Sequence, residues 1–234
     1  MGNIFKFKQF EIDQAGCAMK INTDGVLLGA IAVHDQPVSI LDIGTGTGVI
    51  ALMLAQRYPN AHVDAVEIDS SAAVAAQKNY ANFPFPLEGA VFETSFEAFL
   101  PPLKYDLIIS NPPYFINDLK NPEKRKEIAR HADEDFFELL LKKAARMLTK
   151  KGLIWMILPV KQAEKVVVNA VLQKLFPVKI IDVCSDQTKE PFRQIICLGF
   201  EHSRVINEQI YIYETQGVYT AQYKELLKDF FLAF

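Results

Sequence analysis

The run Val38-Ser39-Ile40-Leu41-Asp42-Ile43, followed at once by Gly44-Thr45-Gly46-Thr47-Gly48 and then by an apolar stretch from Val49 to Tyr58, constrains this chain more than any other feature. A short apolar run with a longer one behind it reads as a covered strand leading into a helix, with the glycine loop between them. Glycines there allow left-handed backbone and close approach to a ligand. The spacing is GxGxG; a dinucleotide fingerprint would place its third glycine one position later, where Val49 stands, which disfavours a nicotinamide dehydrogenase. Val63-Asp64-Ala65-Val66-Glu67 reads as a second strand, ending in an acid 23 residues after Gly44. That is where α/β cofactor sites hold ribose hydroxyls, and Glu67 is assigned this role in preference to that of a surface acid.

Further strand and helix signals alternate along the chain. Phe5 to Asp13 alternates apolar and polar residues as a short strand or hairpin arm, and Thr23 or Asp24 is placed to cap an apolar helix from Val26 to Val33. Ser70 and Ser71 are placed to cap a helix through Asn79, and strands are expected near Ala90 to Phe92 and at Asp106 to Ser110. Asp135 is expected to cap a helix from Phe136 to Leu148, followed by a strand from Gly152 to Pro159 and a helix from Lys161 to Leu175. Val178 to Cys184 and Arg193 to Phe200 are close enough to pair antiparallel. The aromatic tail ends in an amphipathic helix from Ala221 to Phe231, its aromatics assigned to packing. The expectation is a single α/β domain over 1–234, doubly wound and Rossmann-like, mostly parallel with an antiparallel strand pair near its C-terminal end. Within it, 1–35 form an N-terminal strand and helix extension, 36–202 the core and 203–234 a tail. In such sheets ligands bind beyond the carboxyl ends of the strands, where the Gly44 loop, Glu67, Ser95 and Asn111 all fall.

Chemistry is assigned to Asn111-Pro112-Pro113-Tyr114, directly after the strand at Asp106 to Ser110. Successive prolines stiffen the turn and push Asn111 out of the helical region. The Asn111 side-chain carbonyl and the proline backbone carbonyls are acceptors, and Tyr114 offers a flat face. Two carbonyls can each take one N–H of a planar amine or amide, leaving the nitrogen lone pair free to attack. The alternative is an ordinary strand-ending turn.

Composition narrows the class. Half of the 234 residues are apolar and 23% are charged, with a net charge of −3; no apolar run is long enough to cross a membrane and no signal segment is evident, so a cytoplasmic location is expected. A nucleic-acid partner would have to be held by a local basic patch. The run from Lys120 to Arg130, with Lys120, Lys124, Arg125 and Arg130 followed by His131, is the candidate; a solvated helix face is the alternative. Cys17, Cys184 and Cys197 are widely spaced and suggest neither a disulfide framework nor a zinc site. His34, His62, His131 and His202 are scattered without ligand spacing, and no metal is expected.

Leu41-Asp42-Ile43-Gly44-Thr45-Gly46-Thr47-Gly48, the acid at Glu67 and Asn111-Pro112-Pro113-Tyr114 together resemble the class I S-adenosylmethionine-dependent methyltransferases that act on amino groups. The segments Ala18 to Gly25, Leu27 to Ala30 and Tyr219-Thr220 narrow the resemblance to the bacterial family that methylates the N6 amine of adenosine 37 in a valine tRNA. The resemblance implies S-adenosyl-L-methionine as cofactor and tRNA as partner. It implies that Asp42 and the Gly44, Gly46 and Gly48 backbone face the methionine part, with Thr23 and Asp24 closing that end, and that Glu67 accepts from the ribose. It places Ser95 near the adenine, where the family usually has an acid. It implies that Asn111 and Pro112 orient the target amine and that Tyr114 stacks on the flipped base. A protein glutamine N5-methyltransferase and a non-catalytic binding module of the same fold are the alternatives.

Overall fold

The computed structural model describes residues 3–112 and 122–234, with side chains described for all of these except 122–134. The first segment folds as the expected hairpin, β1 (Ile4–Lys6) antiparallel to β2 (Glu11–Asp13). Helix α1 spans Thr23–Ile31, and its cap is Asn22, whose side chain accepts from the Gly25 N–H at 2.9 Å. This corrects the expected cap at Thr23 or Asp24: a capping residue has extended backbone, as Asn22 does, whereas those two already lie in the first turn.

The glycine loop joins β3 (Ser39–Ile43) to α2 (Val49–Arg57) as expected. β4 (His62–Glu67) leads to α3 (Ser70–Ala81), capped by Asp69 through the Ala72 N–H at 2.8 Å rather than by Ser70 or Ser71. β5 (Val91–Glu93) and β6 (Tyr105–Ser110) follow. Helix α4 runs from Pro122 to Met147, so Asp135 lies within it and does not start it. The segment before Asp135 has no apolar stripe to reveal a helix, but it is rich in the helix formers Glu, Lys, Arg and Ala, and a proline is well tolerated at the first position. β7 (Leu148–Leu158), α5 (Val160–Ala170), β8 (Phe176–Cys184) and β9 (Arg193–Gly199) complete the expected core. The tail adds β10 (Ile206–Tyr211), a small hairpin of β11 (Tyr213–Thr215) and β12 (Val218–Tyr219), and α6 (Ala221–Leu227).

Eight strands form one sheet in the order β10-β8-β9-β7-β6-β3-β4-β5. All neighbours are parallel except β9, which is antiparallel to both β7 and β8. The fold is thus α/β and mostly parallel. Alternation along the central strands divides the interior into two cores. Ile40, Leu107, Ile109 and Trp155 face α1, α2, α6 and the N-terminal hairpin; Leu41, Ile108, Ile154 and Met156 face α4 and α5. With both faces covered, near-continuous apolar strands are what the sheet requires.

Two ties hold distant segments of the fold together. Arg57 donates to the carbonyls of Gly29, Ala30 and Ala32 at 2.7 to 3.1 Å, holding the C-terminal end of α1 against α2. At the other end of the chain, Phe7 bridges to Phe231, and the Lys8 ammonium donates to the carbonyls of Lys228 and Phe234 at 2.6 and 2.5 Å.

Candidate active site

The site is assembled at the carboxyl ends of β3, β4 and β6. Gly44, Gly46 and Gly48 have φ of +70°, +58° and +84°, a region L side chains resist, so the loop needs glycine at all three. The Gly44 and Thr45 N–H groups donate to the Val66 carbonyl at 2.8 and 3.1 Å. A Cβ at Gly44 or Gly46 would meet nothing within 4 Å, so the bare backbone borders open space. At Gly48 a Cβ would make ordinary contact with Tyr80 and Ala76, so its positive φ is what calls for glycine there.

Asp42 is wholly buried beneath this loop. One carboxylate oxygen accepts from the Thr45 hydroxyl at 2.6 Å and the Ala51 N–H at 3.2 Å; the other is buried without a hydrogen-bond partner. Burial pushes its pKa up to about 7, opposed by the bonds from Thr45 and Ala51 and assisted by the charge of Glu67. Nearby, the Tyr80 hydroxyl is also buried and unpartnered, and burial raises it well above the ordinary tyrosine value. Glu67 accepts from Gly46 N–H at 2.8 Å through one oxygen and from Ile68 and Asp69 N–H at 2.8 and 2.9 Å through the other. Its carboxylate therefore pins the loop, and with three bonds made it keeps acceptor capacity for a hydroxyl.

Beyond β5 the sequence expectation is modified. The Ser95 hydroxyl accepts from the Ala98 N–H at 3.1 Å, a local turn bond, so its side chain is occupied with shaping the chain. An acid does stand at the strand's end: Glu93, which accepts from the Ser70 hydroxyl at 2.5 Å.

Asn111 follows β6, whose last residue, Ser110, is buried and donates from its hydroxyl to the Ile43 carbonyl at 2.9 Å, locking the end of β6 to the end of β3. Asn111 also abuts α1, since a Cβ on Gly25 would lie 3.7 Å from its Nδ2. Asn111 and Pro112 open into a cleft of about 480 Å³ with Asn22, Thr23, Asp24, Phe192, Arg193 and Tyr213 among its lining residues; that is a size suited to a small organic group. Asp24 is held by Arg193 at 2.7 Å. Tyr114 and Lys120 lie outside the described residues, as do the side chains of Lys124, Arg125, Arg130 and His131.

Four contributors escaped the sequence reading. Asn22 stands immediately before the apolar helix, where a cap signal could have revealed it. Asn79 is buried and accepts from the Asp13 N–H at 2.9 Å while donating to the Asp13 and Thr47 carbonyls at 3.0 and 2.9 Å, tying the N-terminal hairpin to the glycine loop. Phe192 and Arg193 come from a strand start distant in sequence, and no local pattern marks them.

A family model matches residues 22–181, spanning the glycine loop, Glu67 and Asn111. The chain belongs to the methyltransferase small domain family. Curated members resemble it along its whole length. A tRNA1(Val) (adenine(37)-N6)-methyltransferase of Pedobacter heparinus is 57% identical over 234 residues, covering 100% of both chains. One of the same name from Bacteroides thetaiotaomicron is 39% identical over 97% of each. Among solved structures, a predicted O-methyltransferase from Agrobacterium tumefaciens superposes with a TM-score of 0.69 at 18% identity, covering 88% of this chain and 96% of that one. A ribosomal protein L11 methylase from Lactobacillus delbrueckii gives 0.56 at 18% identity, covering 76% and 78%. These neighbours share the fold of this methyltransferase small domain at low identity. Among the described residues no group of metal-ligating side chains is found and no helix is long and apolar enough to cross a membrane.

Proposed function

We propose that this methyltransferase transfers a methyl group from S-adenosylmethionine to the N6 amine of adenosine 37, 3′ of the anticodon, in a valine tRNA in the cytoplasm. The observation that carries the reading is the 57% identity over the full length to a curated enzyme named for that reaction. The site chemistry supports it.

The open backbone at Gly44 and Gly46, the unpaired Asp42 oxygen beneath it and the Glu67 carboxylate beside it fit a ligand with a cationic end and a ribose. When bound, S-adenosylmethionine supplies an electrophilic methyl on a positively charged sulfur. The rest is done by the chain. Gly44, Gly46 and Gly48 would present backbone to the cofactor's methionine part, with Thr23 and Asp24 closing that end and Asp42 suited to its ammonium. Glu67 would accept from the ribose hydroxyls, and the Ser95 segment would border the adenine. The Asn111 side-chain carbonyl and the Pro112 backbone carbonyl each take one N–H of the target amine, aiming its lone pair, while Tyr114 stacks on the flipped base.

Asp24 is the only acid among the described cleft residues, and it is engaged by Arg193. The amine proton can leave to solvent after attack, so the reaction needs no strong base and alignment is the main source of rate. Lys120, Lys124, Arg125, Arg130 and His131 are proposed to contact the RNA backbone. The test is transfer of labelled methyl to tRNA from a strain lacking its own adenine-N6 tRNA activity, with nucleoside analysis. A 6-methyladenosine peak is expected; label appearing on a protein glutamine in place of tRNA would overturn the assignment.

A further inference from the structure

The cleft beside Asn111 carries more than the amine-binding turn requires. Phe192 is 38% exposed and lines this cleft. It stands immediately before β9, and the Arg193 guanidinium lies 5.4 Å from its ring centroid. Arg193 is fixed in turn by Asp24 and by a bond from its own guanidinium to the Phe192 carbonyl at 3.0 Å. Tyr213 lines the same cleft and stacks on Tyr219 at 5.0 Å, which stacks on Tyr223 at 4.8 Å. Two aromatic rings, Phe192 and Tyr213, thus line the cleft, with a cation beside the first.

The offset of Phe192 identifies what it can touch. In the sheet β9 is two strands from β6, across β7, which at the usual strand spacing is about 10 Å sideways. A purine whose amine is held by Asn111 and Pro112 does not extend that far. The next nucleotide of the same strand does, and an aromatic plane with an adjacent guanidinium is what an unstacked base binds.

We propose that Phe192, backed by Arg193 and Tyr213, stacks on a nucleobase that flanks the methylated adenine. The proposal rests on the reading that the acceptor is a tRNA adenine. It assigns substrate selection to the C-terminal strands and makes Arg193 a positioning residue that holds the Phe192 plane.

The test compares the unsubstituted enzyme with Phe192→Ala and Phe192→Trp on full-length tRNA, either intact or carrying an abasic position on one or other side of the target. Phe192→Ala is expected to lower kcat/KM for intact tRNA about tenfold, as the loss of one base–aromatic stack does, with S-adenosylmethionine affinity unchanged. Phe192→Trp is expected to retain activity. An abasic flanking position should lower the unsubstituted enzyme by a similar factor and leave Phe192→Ala no worse than before, because both remove the same contact. Wild-type activity in Phe192→Ala would overturn the proposal, as would losses that simply multiply for both abasic positions. Failure of the unsubstituted enzyme to methylate any tRNA would overturn the functional assignment itself, a result distinguishable from either.

Discussion

At the scale of single residues, the proposed roles of Asn111 and Asp42 separate chemistry from binding. Asn111 follows β6 and lines the cleft, whereas most groups proposed to hold the cofactor, namely Asp42, the glycine loop and Glu67, lie at the ends of β3 and β4. Asn111→Ala is therefore expected to reduce turnover by at least about a hundredfold, since a misplaced nucleophile costs that much, while calorimetry shows S-adenosylmethionine binding nearly intact. Asp42 carries a pH signature. Its pKa rises by burial from 3.8 to about 7. An acid raised on folding contributes stability that is whole below its unfolded pKa and is lost as pH climbs through the folded one. The thermal midpoint of the free protein should thus fall between pH 4 and pH 7 by more than that of Asp42→Asn. A cationic ligand favours the ionised carboxylate, so cofactor affinity should increase as pH rises through about 7, and calorimetry in buffers of different ionisation enthalpy should detect proton release. An affinity independent of pH would remove Asp42 from cofactor binding.

At the scale of elements, the glycine loop is stabilised from a distance by α3. Asn79 reaches from that helix to both Asp13 and Thr47, and its truncation removes the partner of the buried Thr47 carbonyl and of the half-buried Asp13 carbonyl and N–H. Asn79→Ala is expected to lower stability by about 2 kcal/mol, read by denaturant titration, and to weaken cofactor binding through a loosened loop. Much at this scale was legible in the sequence, because covered strands such as Ile40 to Ile43 and Leu107 to Ser110 announce themselves by apolar density, and the GxGxG loop and the Pro-Pro turn mark strand ends. Helix starts were displaced by one to a few residues at Asn22 and Asp69, where neighbouring polar side chains compete for one capping position. The start of α4 was missed because the 122–134 segment has no apolar face. β10 was not foreseen as a strand because Asn207, Glu208 and Gln209 give it no alternation: it is an edge, and only Ile210 is buried. The glycine loop, Glu67 and Asn111 could be found as local motifs. Asn79, Phe192 and Arg193 could not, since their roles exist only once α3 and β9 are packed beside them.

At the scale of the whole molecule, both faces of the central strands are covered, and the face bearing α1 and α2 is completed by segments near both ends of the described chain. Phe231 lies within 5.8 Å of the Phe5 and Phe7 rings, and Phe7 stacks on Phe10 at 4.5 Å. Phe231→Ala is expected to destabilise the protein by about 1 to 3 kcal/mol and to increase protease cleavage in the 3–13 hairpin before the sheet unfolds; equal protection of the hairpin in the variant would show that the tail does not hold it. The Lys8 bonds to Lys228 and Phe234 give this closure a temporal meaning. During translation the hairpin emerges more than two hundred residues ahead of the segment that clasps it. The glycine loop that Asn79 joins to this hairpin gains its full support only after the 228–234 segment has been made, so cofactor capture on the ribosome should be a late event.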